Sequence, residues 1–124
     1  MKLLPAKLGV ALAFLGVALG AFGAHSLEGL VTPERLSTFE TGVRYQMYHA
    51  LGLLLLAVLP LATERASLLI FAGVLIFSGS LYLLVLTGTS WLGAVTPVGG
   101  VLMLTGWALV FAGLMKGSGA EVKA

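Results

Sequence analysis

The sequence contains no cysteine, which excludes disulfides, thiolate metal sites and iron–sulfur clusters. Charge is nearly as scarce. Only 10% of the 124 residues are Asp, Glu, Lys or Arg, against about 25% in soluble domains, and none falls between Ala66 and Met115. The seven bases and five acids are scattered, so the net charge of +2 carries no nucleic-acid signature. Histidine occurs only twice, as His25 and His49. What remains is apolar: 59% of the chain is hydrophobic, compared with about 45–50% in soluble domains. Too little polar surface is left to clothe an aqueous core, so the expected solvent is the lipid bilayer.

The uncharged stretch holds two spans at about 20 residues each, divided at Gly88, Thr89 and Ser90. Spans are expected over 67–87 and 91–115, preceded by others over 8–24 and 45–62. Lys7 can snorkel at the start of the first. The fold class this predicts is an all-α integral membrane protein, one domain over 1–124 with four transmembrane helices in a bundle. Between the first two spans lies "SLEGLVTPERLSTFETGVR". Thr32 can cap a helix there, Pro33 fits its first position, and Glu34 meets the positive end of its dipole. Leu36, Phe39 and Val43 recur at helical spacing, which predicts a short interfacial helix over about 33–42 that can bend at Gly42 into the second span.

Basic residues set the orientation. Lys2, Lys7, Arg65, Lys116 and Lys123 share one side of a four-span chain, and Arg35 and Arg44 lie on the other. Both termini are therefore expected in the cytoplasm, with the protein in the cell (inner) membrane. Lys2, an apolar run and the small residues of "AFGA" also imitate a cleavable leader. Three further spans favour a retained helix, because a first span with packing partners normally stays.

Small residues form seams. Gly9, Ala13, Gly16, Gly20 and Ala24 make one stripe on the first helix, and Gly99, Gly106 and Gly113 repeat every seven residues on the fourth. Such stripes let helix backbones approach closely in lipid. Contacts within the bundle are preferred here over a homodimer face.

Polar residues gather near the non-cytoplasmic face in this topology: His25, then Tyr45, Gln46, Tyr48 and His49, then Ser80, Tyr82 and Thr87, then Thr89, Ser90, Trp91 and Thr96. A functional reading has His25, Tyr45, Gln46, His49, Ser80 and Tyr82 forming a ligand site, with His25 and His49 converging. The plainer reading is that each His hydrogen-bonds a helix end or a neighbouring Tyr while Tyr and Trp mark the interface. Ionisable residues inside a membrane invite a functional suspicion, and His49 attracts it most. Two His without Cys or a nearby carboxylate make a poor metal site, so no metal and no cofactor are expected. Catalytic templates fail as well: "FSGSLY" is not a nucleophile elbow, and no phosphate-loop lysine follows "TPVGG".

"GAFGAHSL", "FETGVRYQMYHALGLLLLA", "FSGSLYLLVLTG" and "TPVGGVLMLTGW" together resemble the bacterial domain-of-unknown-function 423 family, related to the small eukaryotic transmembrane protein 256. The resemblance runs from about Leu8 to Met115. It implies a small multi-pass membrane protein with a retained first helix, and no reaction, substrate or cofactor. The motif positions it carries over are His25, Tyr45, Gln46, His49, Ser80, Tyr82, Pro97, Gly99 and Gly100. The expected role is a non-enzymatic structural or accessory membrane subunit, whose partners are the lipid bilayer and other membrane proteins rather than nucleic acid. The alternative is a binder or transporter of a lipid or small molecule through a pocket around His49 and Tyr82.

Overall fold

The computed structural model describes residues 1–123, with side chains to residue 117; the side chain of Lys123, used in the orientation argument, lies outside the described residues. The fold is all-helical: α1 (Leu3–Phe22), a π-helical turn (Gly23–Leu27), α2 (Pro33–Val58), α3 (Glu64–Thr87), a 3-10 turn (Ser90–Ala94) and α4 (Thr96–Lys123). Among the described residues, three segments are long and apolar enough to cross a membrane: Leu3–Leu27, Glu64–Thr87 and Ser90–Gly117. α2 is not among them, because Arg44, Gln46 and His49 dilute its apolar half.

Several boundaries differ from the sequence expectation. The helix expected over 33–42 and the span expected over 45–62 are one unbroken helix of 26 residues. Gly42 does not interrupt the helix: the Tyr82 ring packs on it and Ser78 Oγ donates to its carbonyl at 2.7 Å, so α3 braces α2 across the expected joint. The segment expected to open the fourth span is a 3-10 turn, and α4 begins only at Thr96. At the other end α1 starts five residues earlier than expected, at Leu3, with Pro5 buried in its first turn.

Helices adjacent in sequence pack against each other, and α1 also reaches α3, whereas α1 and α4 do not meet among the described residues. Leu12, Ala50, Leu53, Leu56, Ala66, Ile70, Val74, Met103 and Val110 form the main core. A second cluster of Leu27, Phe39 and Val85 joins the end of the π-helical turn to α2 and α3. Large apolar side chains such as Phe14, Val17, Leu51, Leu75, Leu104 and Phe111 point outward, as they should where the solvent is lipid.

The small residues stand at the seams except Ala24, which is exposed on the π-helical turn. A Cβ on Gly9 would come within 2.7 Å of the Ala50 carbonyl oxygen, and one on Gly16 would collide with Met47 Sδ. Ala13 packs against the main core, and Gly20 faces Val43. On the other side, Gly99 lies against the backbone of Gly73 and Phe77, Gly106 against Ile70 and Ala66, and Gly113 against Leu61.

Helix ends are closed by groups from elsewhere in the chain. Thr32 caps α2, accepting from the Arg35 N–H at 3.2 Å. At the far end of α2, the Lys2 N–H donates to the Ala57 carbonyl at 2.9 Å, Lys2 Nζ donates to the Leu59 carbonyl, and Thr63 Oγ1 donates to the Leu56 carbonyl at 3.2 Å. α3 ends at Gly88, whose positive φ of 71° only glycine adopts cheaply. There Arg35 Nη1 donates to the Leu84 carbonyl at 3.0 Å, a cation on the negative end of a helix dipole. Arg35→Ala is expected to lower unfolding free energy by about 1 kcal/mol, read by denaturant titration in mixed micelles. Arg44→Ala, which removes only an exposed bond to Thr41 Oγ1, should stay within about 0.5 kcal/mol of the parent.

Candidate polar site between the helices

α2 carries Tyr45, Gln46 and His49, and 3.6 residues per turn distributes them over two faces. Gln46 and His49, three apart, are buried toward different neighbours.

The first group centres on Gln46. Its Nε2 donates to the Leu12 carbonyl of α1 at 2.9 Å, and its Oε1 accepts from the Tyr82 hydroxyl of α3 at 2.6 Å. One amide therefore ties three helices together. Gly16 stands one turn beyond Leu12, where a side chain would lie back over that carbonyl; a Cβ there would sit 3.5 Å from Gln46 Nε2. The seam glycine thus opens the acceptor as well as the packing distance. The Tyr82 ring rests on Phe39 at 4.9 Å between centroids and on Gly42, where a Cβ would approach to 2.8 Å.

The second group centres on His49. Nδ1 lies 2.7 Å from the Tyr45 carbonyl oxygen, an acceptor only, so Nδ1 carries the proton. The imidazole stacks on the Tyr45 ring at 6.3 Å and meets Trp107 of α4 at 5.9 Å. Gly52 makes room for that indole, since a Cβ there would lie 2.9 Å from it. Tyr45 also packs on Phe77 at 4.8 Å.

Ser80 belongs to neither group. Its Oγ donates to the Phe77 carbonyl at 2.9 Å and lies 2.6 Å from Thr96 Oγ1, joining α3 to α4. His25 is exposed on the π-helical turn and makes no hydrogen bond among the described residues. The six candidate residues therefore separate into Gln46 with Tyr82, Tyr45 with His49, Ser80 with Thr96, and an isolated His25. The two histidines have different surroundings, and no group of three or more His, Asp or Glu able to hold a metal comes together among the described residues.

Sequence reasoning missed three participants. Ser78 is signalled only by standing four residues before Tyr82 on one face of α3. Trp107 reads as an ordinary span residue. The Leu12 carbonyl has no sequence signal except the glycine four residues on.

Three apolar helices and a fourth that Gln46 bonds to two of its neighbours define a small all-helical membrane protein. The chain belongs to the family described as Protein of unknown function (DUF423), whose profile matches residues 19–100. It is similar to the UPF0382 membrane protein SAB0533 of Staphylococcus aureus (strain bovine RF122 / ET3-1), 46% identical over 116 residues covering 90% of this chain and 95% of that protein. It is equally similar to the UPF0382 membrane protein YwdK of Bacillus subtilis (strain 168), 46% identical over 115 residues covering 88% and 94%. No solved structure matches the chain.

Proposed function

We propose that the protein is a non-enzymatic structural or accessory subunit of the cell (inner) membrane, crossing it four times with both termini in the cytoplasm. α2 supplies the fourth crossing. Its 26 residues reach about 39 Å at ~1.5 Å per residue, enough for the roughly 30 Å hydrocarbon core, and the two polar side chains in its inner half, Gln46 and His49, are buried. Lys2 bonded to the end of α2 sets the N-terminus beside the connection into α3, whose first turn carries Arg65, in keeping with the basic-residue bias.

The observation that carries the functional reading is the double bonding of Gln46, to Leu12 and to Tyr82. A ligand site keeps polar groups unspent and aimed at a shared space; here Gln46, Ser78 and Ser80 spend theirs in joining helices. The alternative, a pocket between His49 and Tyr82, has weaker support because the two side chains face different partners. It predicts that His49→Ala or Tyr82→Phe abolishes retention of a bound small molecule.

The test is native mass spectrometry after gentle extraction from native membranes. An intact chain held at fixed stoichiometry with other polypeptides is the expected result. A chain recovered alone under every extraction that preserves neighbouring complexes overturns the accessory reading.

A further inference from the structure

The outward flank of α1 is unoccupied by any other helix for most of its length and carries a shallow, open furrow. A groove of about 570 Å³ begins at Ala6 and Lys7 and runs between Val10, Ala11, Phe14 and Leu15. A second, of about 510 Å³, shares Val10 and Phe14 and continues past Ala18 against Leu54 of α2. Together they extend from Ala6 to Ala18, about 18 Å along the helix at ~1.5 Å per residue. That is close to the depth of one leaflet's hydrocarbon, about 15 Å as half of the bilayer core.

Polarity along this groove is one-sided. Its walls are carbon except at one end, where Lys7 is the only charged residue of α1. Lys7 is exposed and has neither an ion pair nor a hydrogen bond among the described residues, unlike Lys2, whose ammonium is held by the Leu59 carbonyl. Lys7 stands about 6 Å, four residues, inside the start of α1, at the depth where acyl chains give way to headgroups. A cation there is expensive without an anion or water.

The geometry points to a bound anionic phospholipid: one acyl chain lies along the Ala6–Ala18 groove of α1, and its phosphate pairs with the Lys7 ammonium. Length, apolar lining and a single cation at the headgroup end match one amphiphile in one leaflet. A second protein helix would supply the apolar filling but not the anion at that depth. This inference goes beyond the accessory-subunit reading and does not depend on it.

The experiment uses the purified full chain, exposed to an equimolar mixture of phosphatidylglycerol and phosphatidylethanolamine with identical acyl chains and read by native mass spectrometry. The expected result is one retained phosphatidylglycerol in preference to phosphatidylethanolamine, with Lys7→Gln reducing that preference roughly fivefold. Ala11→Phe, which fills the groove from an exposed position, should remove the adduct while thermal melting stays as in the parent. Equal retention of the two lipids overturns the proposal, as does a preference unchanged in Lys7→Gln or an adduct unchanged in Ala11→Phe. A dimer lost in Ala11→Phe assigns the groove to a second copy and also overturns it. None of these outcomes bears on whether other polypeptides co-extract from native membranes, so the two readings fail separately.

Discussion

Gly99→Leu is expected to prevent the α3–α4 hairpin from closing and to leave little folded protein, with Gly99→Ala destabilised by about 1–3 kcal/mol. A Cβ at this position would collide with the Phe77 amide nitrogen and lie 2.5 Å from the Gly73 carbonyl oxygen and 2.9 Å from Phe77 Cα. All three atoms are backbone, so no rotamer change relieves the clash; the helices must separate. Alanine brings up to about 1 kcal/mol of helix propensity over glycine, but a displaced helix pair forfeits dispersion along the whole seam, including the mirror contact in which Gly73 faces the Gly99 carbonyl. Separation would also stretch the Ser80–Thr96 pair, now at 2.6 Å. The control is Gly79→Ala, where a Cβ meets nothing within 4 Å: it should be neutral or slightly stabilising. Reversible denaturation in mixed micelles measures both variants. Equal stability for Gly99→Ala and Gly79→Ala would remove the backbone-contact argument.

The gross plan was legible because the bilayer imposes coarse lengths. Absence of charge from Ala66 to Met115 marks α3 and most of α4, and Gly88 marks the break between them. Helix ends were less legible, since hydropathy reports where lipid begins and not where hydrogen bonding stops. α2 illustrates this: Arg44 looks like a boundary, yet the helix runs on to Pro33 because Phe39 is fully buried and Arg35 reaches the end of α3. Within the polar site, helical periodicity brings Tyr45 and His49 onto one face, and their rings stack. Which helix each face meets depends on register between helices, which no single-chain pattern encodes. Gln46 finding both Leu12 and Tyr82, and His25 finding neither, are consequences of that register. The π-helical turn carrying His25 is similarly invisible to a 3.6-residue period.

Gln46→Leu is expected to cost about 1–2 kcal/mol, and the reason is asymmetric. Losing the amide leaves the Leu12 carbonyl its ordinary intrahelical bond, but takes from the half-buried Tyr82 hydroxyl the acceptor it donates to, with Ser78 the remaining hydrogen-bonding side chain beside it. Tyr82→Phe alone strands Gln46 Oε1 in the same way. The double variant Gln46→Leu/Tyr82→Phe strands neither, so its loss should fall short of the summed single losses by roughly 0.5–1.5 kcal/mol. Additive losses would mean that the 2.6 Å bond contributes nothing in the membrane. The same variants discriminate roles. If the polar layer only joins helices, the folded fraction of Gln46→Leu recovers native partners in full, and partner loss tracks melting temperature. Partner loss from a chain that melts like the parent would instead assign Gln46 and Tyr82 to recognition, because stability and assembly would then have separated at a residue pair whose packing alone predicts that they move together.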